Sequence, residues 1–186
     1  MSDRRSIIMV GPSVDAMIRT LAIFLTLLLV AATGAAAAEL EDAVAAAGNG
    51  QHAVALKRLT PLAAKGDARA QFDVGFMQAF GWGVPRNPAE ALAWYRKAAD
   101  QGLAVAQHYL GIAYVNGEGV ASNAGEAARW FSRAAAQGFA QSQYMLGLMT
   151  LDGRGVTQDV VQGYAWLVMA GRNGVRSAGR DVQRVK

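Results

Sequence analysis

Between Ala104 and Asn116 the apolar and small side chains recur every three or four residues, with Ala106 and Leu110 on one face and Ala113 and Tyr114 beside them. This is the spacing of an amphipathic helix. A short polar loop follows, Gly117-Glu118-Gly119-Val120-Ala121-Ser122, and then a second helical pattern that ends at Gly138. The same order of elements is found on either side. Asp67 to Gly102, Leu103 to Gly138 and Phe139 to Gly174 align without a gap, each 36 residues long. A fixed period in this range marks an architecture of stacked repeats.

Several positions recur with a physical role. Asn87, Asn123 and Asp159 stand where the second helix begins, and Glu90, Glu126 and Gln162 follow three residues later. That spacing is a capping box with Asn or Asp as the cap. Pro88 sits at the first helical position, where its missing N–H costs nothing. Gly102, Gly138 and Gly174 fit left-handed caps at the other end. The loop pairs Gly81/Gly83, Gly117/Gly119 and Gly153/Gly155 fit backbone of positive φ, and the valine after each pair is expected to plug the gap between helices. Gly75, Gly111 and Gly147 lie inside the first helix, where glycine costs about 1 kcal/mol against alanine. Their recurrence points to close approach by another helix, expected over the indoles of Trp94, Trp130 and Trp166. Ala98, Ala134 and Ala170, four residues after each indole, allow large and small side chains to interlock.

The repeat pattern fades at both ends. Glu39 to Ala47 reads as a short helix broken by Gly48-Asn49-Gly50, and Gln51 to Gly66 matches the second half of a repeat, with Pro61 expected to kink it. Val175 to Lys186 starts a fourth repeat: Ala178 and Val182 fill its small and leucine positions, while Gln183 replaces the packing glycine. Such ends are expected of caps; for the C-terminal segment the alternative is a repeat that the sequence cuts short. The fold class read from the residues is therefore all-α, an α/α solenoid of about three full two-helix repeats (67–102, 103–138, 139–174) with partial capping units at 39–66 and 175–186.

Residues 1–38 stand apart. Arg19 precedes the uncharged run Thr20 to Ala32, and small residues lead to Ala36-Ala37-Ala38. This reads as a secretory signal peptide cleaved after Ala38, with Met17 as an alternative start, and predicts a periplasmic or secreted protein. The alternative is an uncleaved anchor over 20–38, a span near the lower limit for crossing a bilayer. Arg4-Arg5 lies too far from the apolar run to read as a twin-arginine signal. Cleavage would leave 15 basic and 12 acidic residues, a net charge of +3. That balance gives no argument for nucleic acid. With no cysteine, a disulfide framework is excluded.

The string A-x-x-x-L-G-x-x-Y-x-x-G-x-G-V, followed by A-x-x-W-[YF]-x-x-A-A-x-x-G, resembles the Sel-1-like repeat, a relative of the tetratricopeptide repeat. The resemblance runs from Gln51 to Gly174. Departures are Gln78 and Thr150 where the tyrosine of the first helix stands at Tyr114, Tyr164 and Leu167 in the aromatic pair of the third copy, and Gly171 for an alanine. The resemblance implies a solenoid that binds a protein or peptide, in exported members often as an adaptor or envelope regulator. Some cysteine-rich relatives are linked to β-lactams or peptidoglycan; without those cysteines the link does not carry over. By analogy with the related family, positions three, six and fourteen of the period line the inner face. They supply Arg69, Val105 and Gln141, then Phe72, His108 and Tyr144, then Phe80, Asn116 and Asp152. Position six is a ladder of flat rings suited to a peptide; the competing reading packs those rings between helices.

Chemistry is sparse. The two histidines, His52 and His108, sit in different repeats, which gives no metal motif. No Ser-x-x-Lys or Gly-x-Ser-x-Gly anchors acyl-serine chemistry. The Gly-x-Gly loops follow helices and lack the lysine of a phosphate cradle. Asp67 and Asp73 read as cap and surface. Arg172, Arg176, Arg180 and Arg184 form a basic stripe near Asp181, interrupted at Gly174, either a solvated face or a contact for an acidic partner or anionic lipid. The expectation is a non-enzymatic interaction scaffold without cofactor or metal. Its rivals are a cell-wall-directed enzyme, which needs titratable groups converging in a cleft, and a membrane-anchored structural component, which needs an intact leader.

Overall fold

Each 36-residue period folds as two 13-residue helices joined by a loop. The structure is a computed structural model that describes residues 34–184. The start at Met17 and the apolar run of the leader fall outside the described residues. The chain divides into residues 1–39 and 40–186. Of the first unit, residues 34–39 are described and are helical.

The second unit opens with helical residues 40–48 (α1), so the helix includes Gly48, and the turn falls at residues 49 and 50. There follow α2 (His52–Ala64), α3 (Ala68–Phe80), α4 (Pro88–Asp100), α5 (Ala104–Asn116), α6 (Ala124–Ala136), α7 (Ala140–Asp152), α8 (Val160–Arg172) and α9 (Arg176–Arg184). α2 is one helix through Pro61. Packing is chiefly between helices consecutive in the chain, as in a stack of hairpins. The fold is an all-α solenoid, and the described residues contain no strand.

The repeated polar residues start and stop the helices. Asn87, Asn123 and Asp159 accept the N–H of Glu90, Glu126 and Gln162. Asp67 caps α3 in the same way through Ala70, whereas Leu103 and Phe139 cap α5 and α7 without a side-chain bond. Gly102, Gly138 and Gly174 close the second helices at φ of +91°, +85° and +98°. The second glycine of each loop has a further reason to be glycine. A Cβ at Gly83 would lie 2.7 Å from backbone atoms of His52 and Ala53. Gly119 and Gly155 press likewise on Pro88 and Ala124. Each loop thus rests on the start of the preceding repeat's second helix, and a side chain there would separate the two.

The glycines inside the first helices meet a different partner from the expected indoles. A Cβ on Gly111 would fall 2.6–3.0 Å from the Phe131 ring, and one on Gly147 would meet Leu167 at 2.9 Å. Gly75 faces Tyr95 Cδ1 and Trp94 Cβ, both at 3.0 Å. The reason is angular. α4 buries Ala91, Tyr95, Ala98 and Ala99, and Trp94 lies about 100° away from Tyr95 around the helix. Two of the indoles instead carry cations: Lys97 Nζ lies 4.1 Å from the Trp94 ring and Arg133 Cζ 4.4 Å from that of Trp130.

A row of amides runs through the stack. Gln71, Gln107 and Gln143 are buried, and each donates to the carbonyl of Ala63, Ala99 or Ala135 at the end of the preceding helix. Each also accepts, from Gln101, Gln137 or Asn173 respectively, at 2.8 Å. One side chain therefore joins three consecutive helices. A buried amide is tolerated only when so satisfied, and satisfying it fixes the register of the stack.

Candidate functional site

At the N-terminal end of the first-helix face a cavity of about 650 Å³ lies between α1, α2, α3 and α5. Val44, Ala47, Leu59, Met77 and Val105 form aliphatic walls; Phe72, Phe76, Trp82, Tyr109 and His52 supply rings; Asp73 is its carboxylate. The rings form one contact network. Trp82 stacks on His52 at 4.9 Å and meets the edge of Phe76 at 5.3 Å. Phe76 continues to Phe80 at 4.5 Å and to Tyr109 at 5.5 Å. Phe80 and Trp82 are 55% and 41% exposed, high values for large apolar side chains.

The predicted residues divide by their place in the wall. Phe72 and His108 are only 7% and 8% exposed and do not form a surface ladder. Phe72 packs on Tyr95 at 5.7 Å and His108 on Phe131 at 5.5 Å, so both turn into the repeat interior. Tyr144, half-buried, donates to Asp181 on α9 at 2.9 Å. His108, Asn116, Gln141 and Tyr144 nevertheless line one cavity of about 380 Å³ between α5 and α7. Phe80 and Asn116 share another, of about 330 Å³, with Tyr95 and Tyr109. Arg69 sits outside these cavities and reaches in through Asp73; Asp152 is exposed and lines none of them.

Burial shapes the electrostatics. It lowers the pKa of His108 to about 4, and its Nδ1 lies 2.9 Å from Ser142 Oγ, so the imidazole is neutral at pH 7. It raises the carboxyl of Asp73 above the ordinary carboxylate value, against the opposing pull of Arg69. It also raises the Tyr95 phenol, whose hydroxyl is buried without a hydrogen-bond partner. Among the described residues no three His, Asp, Glu or Cys side chains converge to hold a metal. Arg172, Arg176 and Arg180 are exposed on either side of Gly174; the side chain of Arg184 lies outside the described ones.

The family match covers the residues that form this framework. Residues 68–103, 104–139 and 140–175 each match the Sel1 repeat, one residue later than the period read from the caps. The chain belongs to the Sel1 repeat family. Among solved structures it is similar to a Sel1 repeat protein from Oxalobacter formigenes, at 30% identity and a TM-score of 0.73 over 76% of this chain. It is also similar to a protective antigen of uropathogenic Escherichia coli with an SLR fold, at 35% identity and a TM-score of 0.64 over 66% of the chain. Cysteine-rich protein B of Helicobacter pylori, 21% identical, shares the fold at a TM-score of 0.56 over 68% of this chain and 93% of its own. The chain spans 58% of the Oxalobacter protein and 26% of the E. coli antigen. No curated protein matches. Sel1 repeat proteins are generally protein-interaction scaffolds and generally non-catalytic.

Period positions three, six and fourteen capture the aromatic end only in part, through Val105, Phe72 and Phe80. Phe76, Trp82 and Tyr109 fall at other positions, and His52 precedes the first full repeat. The available signal was Trp82, an indole between two loop glycines where the other copies carry Glu118 and Arg154.

Proposed function

We propose that the chain is a non-catalytic scaffold that holds a protein or peptide partner along its first-helix face, with the aromatic end as the main contact. The single observation that carries this is Trp82, 41% exposed in the wall of the ring-lined cavity, with the 55% exposed Phe80 beside it at 6.0 Å between ring centres. Aromatic side chains next to a pocket are where binding energy concentrates in protein interfaces. The basic-flanked apolar run and Ala36-Ala37-Ala38 support export, so the scaffold acts in the cell envelope or outside the cell.

In-cell crosslinking of the tagged full chain, with identification of the captured polypeptides, tests both parts. Wild type should capture a recurrent polypeptide that a Phe80→Ala, Trp82→Ala variant of unchanged melting temperature does not. Equal capture by the variant, or no polypeptide at all, would contradict the scaffold reading. Export predicts a mature N-terminus at Glu39; an intact leader in the membrane fraction would favour an anchored component.

A further inference from the structure

We propose, resting on the reading above, that the 650 Å³ cavity takes an arginine side chain of the bound polypeptide, its guanidinium meeting the Asp73 carboxylate among the rings of Phe76, Trp82 and Tyr109. Asp73 is a charge set in an otherwise apolar wall, and its side chain is only 17% exposed. Arg69 reaches it through one Nε–H shared between the two oxygens, at 3.2 and 3.1 Å, from a side chain that is 54% exposed. A carboxylate has roughly four acceptor positions, so capacity remains on Asp73. Burial still outweighs Arg69 in setting the protonation of Asp73. The His52 ring, stacked on Trp82 at 4.9 Å, forms another part of the wall.

These features together select the occupant. A purely apolar side chain would strip the remaining water from Asp73 and return nothing, which is unfavourable for a charged group. A guanidinium is flat, weakly hydrated and rich in donors, and it stacks on aromatic faces. It therefore satisfies the carboxylate and the rings at once. The volume also admits a neighbouring apolar side chain.

The test is a titration of the full chain with acetyl-Leu-Arg-Leu-amide and with its citrulline counterpart, which has the same shape and no charge. The backbone amide of Gly83 and the indole N–H of Trp82 are followed by NMR. The arginine peptide should shift both signals and bind roughly ten-fold more tightly than the citrulline peptide, the difference expected of one charge-assisted pair. Asp73→Asn should bring that ratio close to one, while Arg69→Ala should not lower it. Equal binding of the two peptides in wild type would overturn the arginine assignment and leave the docking face standing. So would shifts confined to other residues, or none with either peptide; the crosslinking experiment judges the docking face separately. The wild-type comparison does not depend on the folding of any variant.

Discussion

Trp82 and Arg154 occupy the same loop position, each between two glycines of positive φ, and Phe80 and Asp152 occupy the same last position of a first helix. Around them the first and third repeats are built alike. Both have a capped second helix, a buried glutamine joined to its neighbours and an internal glycine under a large side chain. Yet the first repeat presents a cluster of rings, and the third presents Leu148, Asp152 and Arg154. The framework is thus indifferent to what its loops and helix ends display. A repeat protein can vary its surface one copy at a time because the recurring residues hold the backbone without help from the others.

The largest effect should come from breaking the framework. Gly119→Ala forces a positive φ on alanine and drives its Cβ into the Pro88 carbonyl; it should destabilise the protein by about 3 kcal/mol in urea unfolding. Gly138→Ala has a similar φ and open space around it, so it should cost only about 1 kcal/mol. Similar losses at both sites would remove the inter-repeat contact from the account.

The second effect belongs to the middle repeat alone. The pKa of His108 is depressed, so the unfolded chain binds the proton more readily than the folded one. Stability should therefore fall as pH drops from about 6.5 towards 4, by up to about 3 kcal/mol, and this contribution should change no further below that. His108→Phe, which copies the first repeat at this position, should lose that slope when urea unfolding is compared at pH 7 and 4.5. An unchanged slope would place the titrating group elsewhere.

Exchanging the surfaces should leave the fold in place. Phe76→Leu, Phe80→Asp and Trp82→Arg together give the first repeat the third repeat's face. Calorimetry should show a stability change within about 2 kcal/mol, while capture of the partner is lost. The smallest effect is expected at Tyr95→Phe, where the second repeat already carries Phe131. The variant removes a buried hydroxyl that has no partner, so stability should shift by about 0.5 kcal/mol or less, towards stabilisation. A clear loss of melting temperature would reveal a hydrogen bond at that oxygen.

The framework was legible in the sequence because its roles depend on local spacing. Asn87 and Glu90, or Gly102 after α4, act within one turn of helix, and repetition makes each visible three times. The partner of the internal glycine was misjudged because a one-residue step turns a helix by about 100°, which separates Trp130 from Phe131. Gln107 recurs in every full copy, but its two bonds reach carbonyl and amide groups that only stacking brings near. The aromatic end was hidden for the opposite reason. His52, Phe76, Trp82 and Tyr109 belong to three different units and recur in none, so neither period nor motif connects them.

The most direct measurement places one photocrosslinking residue in turn at Phe80, Asn116 and Asp152, the same helical position in three successive repeats. Strong adducts with the partner are expected from position 80, weaker ones from 116 and none from 152. Equal adducts from all three positions, or the strongest from 152, would contradict the claim that the unrepeated aromatic end carries recognition.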